Sequence, residues 1–323
     1  MLRTMLINMA DETIASGDES LIEQYENQPN AWLWVDLDRQ DRAWERNFLC
    51  ERFNIDPLVI EDAQRERHPP KLEIFNEYFF LLLKGLDADT TDINFGVIQI
   101  SFFVGKRLLI TRRNAKSLSI DHIWVKLQKK RLDPQRGPAY ITYAICRRIV
   151  DRYTPVVLSL EERLDEVESE MFLQTDDALL EELIANNSRL KKLRRILTYH
   201  TGLMQELASG TNPFVGIDES HAFNDAYTHF ERLASLSNLY QELTMDLVNA
   251  YISLSSHRLN HIIKMLTMVT VIFLPLSLLA GIYGMNFEFI PELRWQFGYF
   301  LVLLAMGAVV LGSLFLFRKL RWL

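Results

Sequence analysis

Apolar positions follow one pattern in the first third of the chain and another in the rest. Between residues 31 and 113 they come in short, nearly unbroken runs: AWLWVDL (31–37), EYFFLLLKGL (77–86), FGVIQISFFVG (95–105) and RLLITRR (107–113). Runs of that length, rich in aromatic and β-branched residues, predict strands. Gly105-Lys106 predicts the turn that joins the last two. DPLVIEDAQ (56–64) predicts a short helix, with Asp56 as its cap and Pro57 at its first position. The reading for residues 1–116 is a mixed α and β domain.

From Ser117 to Ser209 the pattern turns helical, with Gly137-Pro138 as its main break and no Gly or Pro between Ser159 and Thr201. Residues 117–217 therefore read as a helical hairpin region. Glu161, Glu162, Asp165, Glu166, Glu168 and Glu170 crowd one arm, Arg189, Lys191, Lys192, Arg194 and Arg195 the other, and Thr175-Asp176-Asp177 predicts a turn and cap between them. Two antiparallel helices would pair these charges. The alternative is two solvated faces with weak salt bridges.

Residues 218–264 carry a stripe of apolar side chains at Phe223, Ala226, Phe230, Leu233, Leu236, Tyr240, Leu243, Leu247, Ala250 and Leu254. Steps of three and four are the spacing of a coiled-coil seam. No helix breaker occurs from Asp218 to Pro275, so one continuous helix is expected, about 100 Å long at 1.5 Å per residue if it reaches Gly284. Its last part, residues 265–284, is uncharged over 20 residues, and residues 296–317 are uncharged over 22. Each is long enough to cross a hydrocarbon layer of ~30 Å. A buried core helix is the competing explanation, but such helices seldom reach this length and rarely come in pairs.

The flanks set the orientation. Arg318, Lys319 and Arg321 follow the second run in the basic terminus 318–323, and Arg258 and Lys264 precede the first; the loop 285–295 carries Glu288 and Glu292 against Arg294 alone. By the positive-inside rule both termini are cytoplasmic and the loop is external, with Trp295, Phe297, Tyr299 and Trp322 as interfacial aromatics. Asp11, Glu12, Asp18 and Glu19 fit neither a secretory signal nor a transit peptide, so a bacterial plasma membrane is expected. Within the first span Thr267, Thr270, Leu274, Ser277, Gly281 and Gly284 again fall three and four apart. Close helix packing in lipid and a water-lined pore both favour such residues. The net charge of −7 argues against a nucleic-acid surface, and Cys50 and Cys146 are expected as free thiols. No phosphate-cradling glycine loop, nucleophile elbow or dense Cys/His site is present, so neither an enzyme nor a catalytic cofactor is expected.

Tyr283-Gly284-Met285-Asn286 followed by Phe287-Glu288-Phe289-Ile290-Pro291-Glu292-Leu293 resembles the signature of the CorA family of magnesium channels, and DPLVIEDAQRERHPPKLEIF (56–75) is similar to a segment of that family's soluble domain. Departures are Ile290 where Met is usual, His68-Pro69-Pro70 where Arg-Pro is common, and Phe300 where many members have Pro. The resemblance implies a funnel-shaped homopentamer with five first spans around a pore and the second spans facing lipid; the seam from Phe223 to Leu254, an apolar stripe with no other place to hide from the cytoplasm, is expected to hold it together. It implies a selectivity filter at Gly284, Met285 and Asn286, five Asn286 amides reading the water shell of a divalent cation that sheds water reluctantly. Asn260, Ile263, Leu266, Leu274 and Ser277 would stand on the pore wall, continuous with Thr270 and Gly281. Glu288 and Glu292 would concentrate cations outside. Metal held between subunits by Asp225 and by Asp87 or Asp89 would keep the pore shut, which makes Mg2+ both cargo and regulator.

His257 and His261, one turn apart, support a different ion. An i, i+4 histidine pair can hold Zn2+, and the ZntB-like zinc transporters share the Gly-Met-Asn triplet. A membrane scaffold or metal sensor that conducts nothing is the third reading. It has no use for a ring of amides facing outside water.

Overall fold

The computed structural model describes residues 1–66, 68–173, 177–286 and 295–322. They form two compact units, Met1–Val248 and Asn249–Leu323. The first is built on a seven-stranded sheet of β1 (Leu2–Asn8), β2 (Thr13–Gly17), β3 (Ala31–Asp38), β4 (Lys71–Ile74), β5 (Phe79–Leu86), β6 (Val97–Val104) and β7 (Leu108–Arg113), in the order β2-β1-β3-β7-β6-β5-β4. The β3–β7 pair is parallel and every other pair antiparallel.

The four strands expected from the apolar runs are β3, β5, β6 and β7, which lie next to one another in the order β3-β7-β6-β5, with β4 closing the edge beside β5. They are buried on both faces because helices cover both sides. One face carries α1 (Ser20–Glu26), α2 (Arg42–Phe53) and α3 (Pro57–Gln64) over Leu33, Val35, Phe80, Leu82, Phe103 and Ile110. As expected, Asp56 caps α3, accepting from the Leu58 amide at 2.7 Å. The other face carries α4 (Leu118–Gln128) and the first part of α5 (Gly137–Leu173), which starts where Gly137 takes φ +74°. On that side Trp34 packs on Trp124 with ring centroids 4.8 Å apart. Among these apolar residues sits Asp36, fully buried, accepting from Thr111 at 2.7 Å, Arg3 at 2.9 Å and Arg113 at 3.0 Å.

α5, α6 (Asp177–Ala208) and the first part of α7 (Ile217–Tyr283) make a three-helix bundle. Pairs 153 with 200 and 163 with 182 run α6 antiparallel to α5; pairs 187 with 245 and 194 with 238 run α7 antiparallel to α6. This corrects two expectations. Among the described residues the acidic arm does not pair with the basic cluster: Arg163, inside the acidic arm, bonds Glu182 of α6 at 2.8 Å and Glu166 and Glu170 of its own helix. The antiparallel register sets residues 161–170 beside the start of α6, which is acidic, and carries the basic cluster past them. The seam is also divided. Phe223, Ala226, Phe230, Leu233 and Tyr240 are buried inside this chain's own bundle, whereas Leu243 is 42% exposed. The stripe does have a place to hide without other copies, because α5 and α6 supply it.

The second unit consists of the rest of α7 and α8 (Gly298–Lys319), each apolar over enough length to cross a membrane. α7 continues through Pro275. Pro275 has no N–H to reach Val271, a loss that spanning helices tolerate better than most.

Candidate functional site

In the second unit, α7 meets α8 along one side. Lys264 donates to the Arg321 carbonyl at 3.2 Å and lies 5.9 Å from the Trp322 ring, which stacks on Phe317. Nearer the other end a cavity of about 440 Å³ is lined by Ala280, Tyr283 and Gly284 from α7 and by Tyr299, Leu303 and Met306 from α8. Of the partly covered positions between 264 and 283, Lys264, Met268, Ile272, Pro275, Leu279 and Tyr283 form one line along α7, spaced by three and four, with Thr267 and Leu276 flanking it.

Asn260, Ile263, Leu266, Thr270, Leu274, Ser277, Gly281 and Gly284 are all exposed, with Leu274 at 70%. At 3.6 residues per turn their stripe is centred about 170° from the covered line. The residues expected on a pore wall thus share one face, and α8 takes the opposite one. The hydroxyls of Thr267 and Thr270 donate back to the carbonyls of Ile263 and Leu266 at 2.8 and 2.9 Å, so each keeps only acceptor capacity for anything on that face.

The stripe ends on the Gly-Met-Asn triplet. Gly284 closes the helix with its amide on the Ala280 carbonyl at 2.9 Å, and Met285 follows with 3.3 Å to Ile282. A Cβ on Gly284 would stand 3.0 Å from the Ala280 oxygen, so the glycine is what lets this turn close. Met285 and Asn286 are exposed, and Glu288, Glu292 and Ile290 lie outside the described residues.

The two histidines fall elsewhere. His257 and His261 continue the line of Lys264 and Met268, on the side of α7 away from the Asn260–Gly284 stripe. Among the described residues no group of three His, Cys, Asp or Glu side chains is assembled within the chain.

The expected regulatory acids sit in the first unit, where Asp225 and Asp87 have partners of their own. Asp225, on α7, lies 3.4 Å from Arg147 and 3.5 Å from His229, and it accepts from Tyr143 at 3.2 Å. Burial, and then the Asp225 carboxylate, pushes the Tyr143 hydroxyl up to about 12, so Tyr143 stays a donor. Tyr143 and Arg147 had no local signal in the sequence. His229 had one, the i+4 spacing from Asp225. Asp87 holds its own loop: Thr90 donates to its carboxylate, Arg152 donates to its carbonyl at 2.5 Å, and a Cβ on Gly96 would clash with its Oδ2 at 1.8 Å. Asp89 is exposed.

Known proteins share this arrangement along nearly its whole length. "Putative metal ion transporter YfjQ" of Bacillus subtilis is 32% identical over 93% of this chain and 93% of its own. The cobalt/magnesium transport protein CorA of Thermotoga maritima is 27% identical over 90% of this chain and 83% of its own. The solved structure of the CorA magnesium transporter from Methanocaldococcus jannaschii superposes with a TM-score of 0.80 at 21% identity, covering 99% of this chain and 98% of that one. The α/β domain, the long helix and the two C-terminal apolar helices match that solved structure, and residues 29–319 match a family model: the chain belongs to the CorA-like Mg2+ transporter proteins, which move divalent cations across membranes.

Proposed function

We propose that the protein conducts hydrated divalent cations, Mg2+ first and Co2+ and Ni2+ with it, across the bacterial inner membrane as a homopentamer whose five copies of α7 line one pore. The observation that carries this reading is the exposed stripe from Asn260 to Gly284, set opposite α8 and ending on Asn286. A face of small residues, hydroxyls and scattered aliphatics is wasted against lipid. Around a shared axis it supplies what conduction needs: neutral acceptors at Thr270 and Ser277, and apolar rings at Ile263, Leu266 and Leu274 that close by dewetting.

At the mouth, Asn286 offers carbonyl dipoles to the water shell of the ion and adds no fixed charge. Mg2+ is the ion for which that matters most, since it dehydrates reluctantly. Glu288 and Glu292 raise the local cation concentration, and both termini face the cytoplasm, following the basic residues around Lys264 and Arg318. In the closed state Asp225 of one subunit and Asp89 of its neighbour, with Asp87 shaping that loop, hold an inhibitory Mg2+. The exposure of Asp225 and Asp89 supports this, and Arg147 is the cation that such a metal would displace.

The test is ion flux into liposomes holding the purified protein, for Mg2+, Co2+, Ni2+ and Zn2+, with and without a proton gradient. Saturable Mg2+ entry independent of the gradient is expected. Zn2+ entry alone, or no entry for any ion, overturns the reading in favour of a zinc transporter or a scaffold respectively.

A further inference from the structure

Two members of the basic cluster on α6, Lys192 and Arg195, line a cavity of about 580 Å³ in the first unit that transport leaves unexplained. With Tyr199 they stand at i, i+3 and i+7, one face of α6. Opposite them, on β5, is Lys84, only 9% exposed. Its ammonium group donates to the Gln99 amide oxygen at 2.7 Å and reaches the Glu66 carbonyl at 3.5 Å, both neutral acceptors. An ammonium group has three protons, so one remains for a ligand.

Glu66 and His68 also line the cavity, but each acid nearby is engaged by a cation other than Lys84, Lys192 and Arg195. Glu66 is 74% exposed and pairs with Arg42 at 3.5 Å, and Asp62 is engaged by Lys71 at 2.7 Å and by His68 at 3.4 Å. Lys192 touches the Phe95 carbonyl and ring. Among the described residues none of the three cations meets a carboxylate at ion-pair distance. Burial alone, unopposed by any acid, lowers the Lys84 ammonium to about 8. A buried cation without a counter-charge is a cost to the fold that an anion would remove.

We propose that this cavity binds a phosphorylated small molecule of nucleotide size, its phosphates on Lys84, Lys192 and Arg195 and its ring against Tyr199. Three cationic side chains lining one cavity suit the several oxygens of a di- or triphosphate better than one carboxylate. The volume falls in the range of about 300–1,000 Å³ that small-molecule sites occupy. Tyr199, 46% exposed at the rim, supplies an aromatic face, and Pro69, Val97 and Ile196 supply apolar wall for a ring.

Calorimetric titration of the full-length protein in detergent with ATP, in EDTA so that no metal bridges the partners, tests this independently of any transport activity. One site per chain is expected. Lys192→Ala/Arg195→Ala should weaken ATP at least tenfold, Tyr199→Ala should weaken ATP but not inorganic phosphate, and Lys129→Ala/Lys130→Ala, on exposed residues away from the cavity, should change nothing. Lys84→Met keeps the stem and removes the charge; it should abolish binding while leaving the thermal midpoint equal or higher. The proposal is overturned if wild type takes up no ATP at millimolar concentration, if the Lys192/Arg195 variant binds as wild type does, or if inorganic phosphate binds as tightly as ATP.

Discussion

Strand β5 (FFLLLKGL) and helix α8 (GYFLVLLAMGAVVLGSLFLFRK) are both dominated by large aliphatic and aromatic residues, yet all eight positions of the strand are buried, whereas in α8 only Gly298 and Phe317 are. The strand is covered by its own chain: β4 and β6 on its edges, α3 on one side and α5 on the other. The helix has only α7 on one side, so its remaining cover must come from lipid or from other copies. The same contrast holds for polar groups. In the first unit Asp36 and Glu45 are buried and paired, Glu45 with Arg112 at 2.6 Å. In the second unit the polar residues on the Asn260–Gly284 stripe are exposed. Polar side chains of the first unit are thus spent on one another, while those of the stripe face outward.

Substitutions that separate folding from flux sharpen this contrast or break it. The largest effect is expected at Asp36→Ala, which leaves Arg113 buried with its main partner gone. Breaking a buried pair in this way costs about 3–5 kcal/mol. Thermal unfolding in detergent should show a fall of about 10 °C for a unit of this size. An unchanged midpoint would mean that the Asp36 cluster does not hold the sheet.

Next comes Asn286→Ala, which should leave the midpoint alone and reduce Mg2+ flux well over tenfold, each tenfold being about 1.4 kcal/mol of barrier. Asn286→Asp keeps the shape but brings up to five charges together, and their repulsion should lower conduction or shift selectivity. Wild-type Mg2+ flux in the Ala variant would refute a mechanism based on amide dipoles.

Asp225→Ala should weaken inhibition by cytoplasmic Mg2+ by about fivefold or more, the low end of allosteric coupling, with the fold intact. Inhibition identical to wild type would leave Asp225 as a partner of Arg147 and nothing more.

Glu182→Gln tests the bundle. The Arg163 hydrogen bond lowers the Glu182 carboxyl below the ordinary glutamate value of 4.5. A depressed folded value stabilises above the unfolded one and loses that stabilisation as pH falls through the folded one. The variant should therefore cost about 0.2–1 kcal/mol at pH 7. It should match wild type in strong acid, and unfolding followed from pH 7 to 3 reads this out.

The smallest effect is expected at His257→Ala/His261→Ala. Both residues lie on the side of α7 away from the stripe, so Mg2+ and Zn2+ flux should stay within about twofold of wild type, less than 0.5 kcal/mol. Loss of Zn2+ flux alone would restore the histidine pair as a zinc site.

Much of this was readable in local pattern. A strand covered on both faces must be apolar at consecutive positions, so β3, β5, β6 and β7 announce themselves. Two long uncharged runs announce two long apolar helices, and a three-and-four stripe before Gly284-Met285-Asn286 picks out the exposed face of α7 opposite α8. The edge strands β2 and β4 gave no comparable signal, because an edge strand needs neither a long run nor a strict alternation, and in β1, between β2 and β3, Arg3 and Thr4 break the apolar run.

What periodicity cannot contain is the partner. Phe223 and Phe230 have the spacing of a seam between chains, yet they pack on Tyr143 and His200 of their own bundle. The charges of Glu161–Glu170 and Arg189–Arg195 are complementary by count, yet the hairpin register carries them past each other. Lys84 lies more than one hundred positions from Lys192 and Arg195, and only the packing of α6 against the sheet edge brings the three to one cavity. Sequence by itself determined which residues want to leave water, since that depends on each side chain and its near neighbours. Tertiary structure decided what they meet, since a long-range contact is set by the register in which whole elements pack.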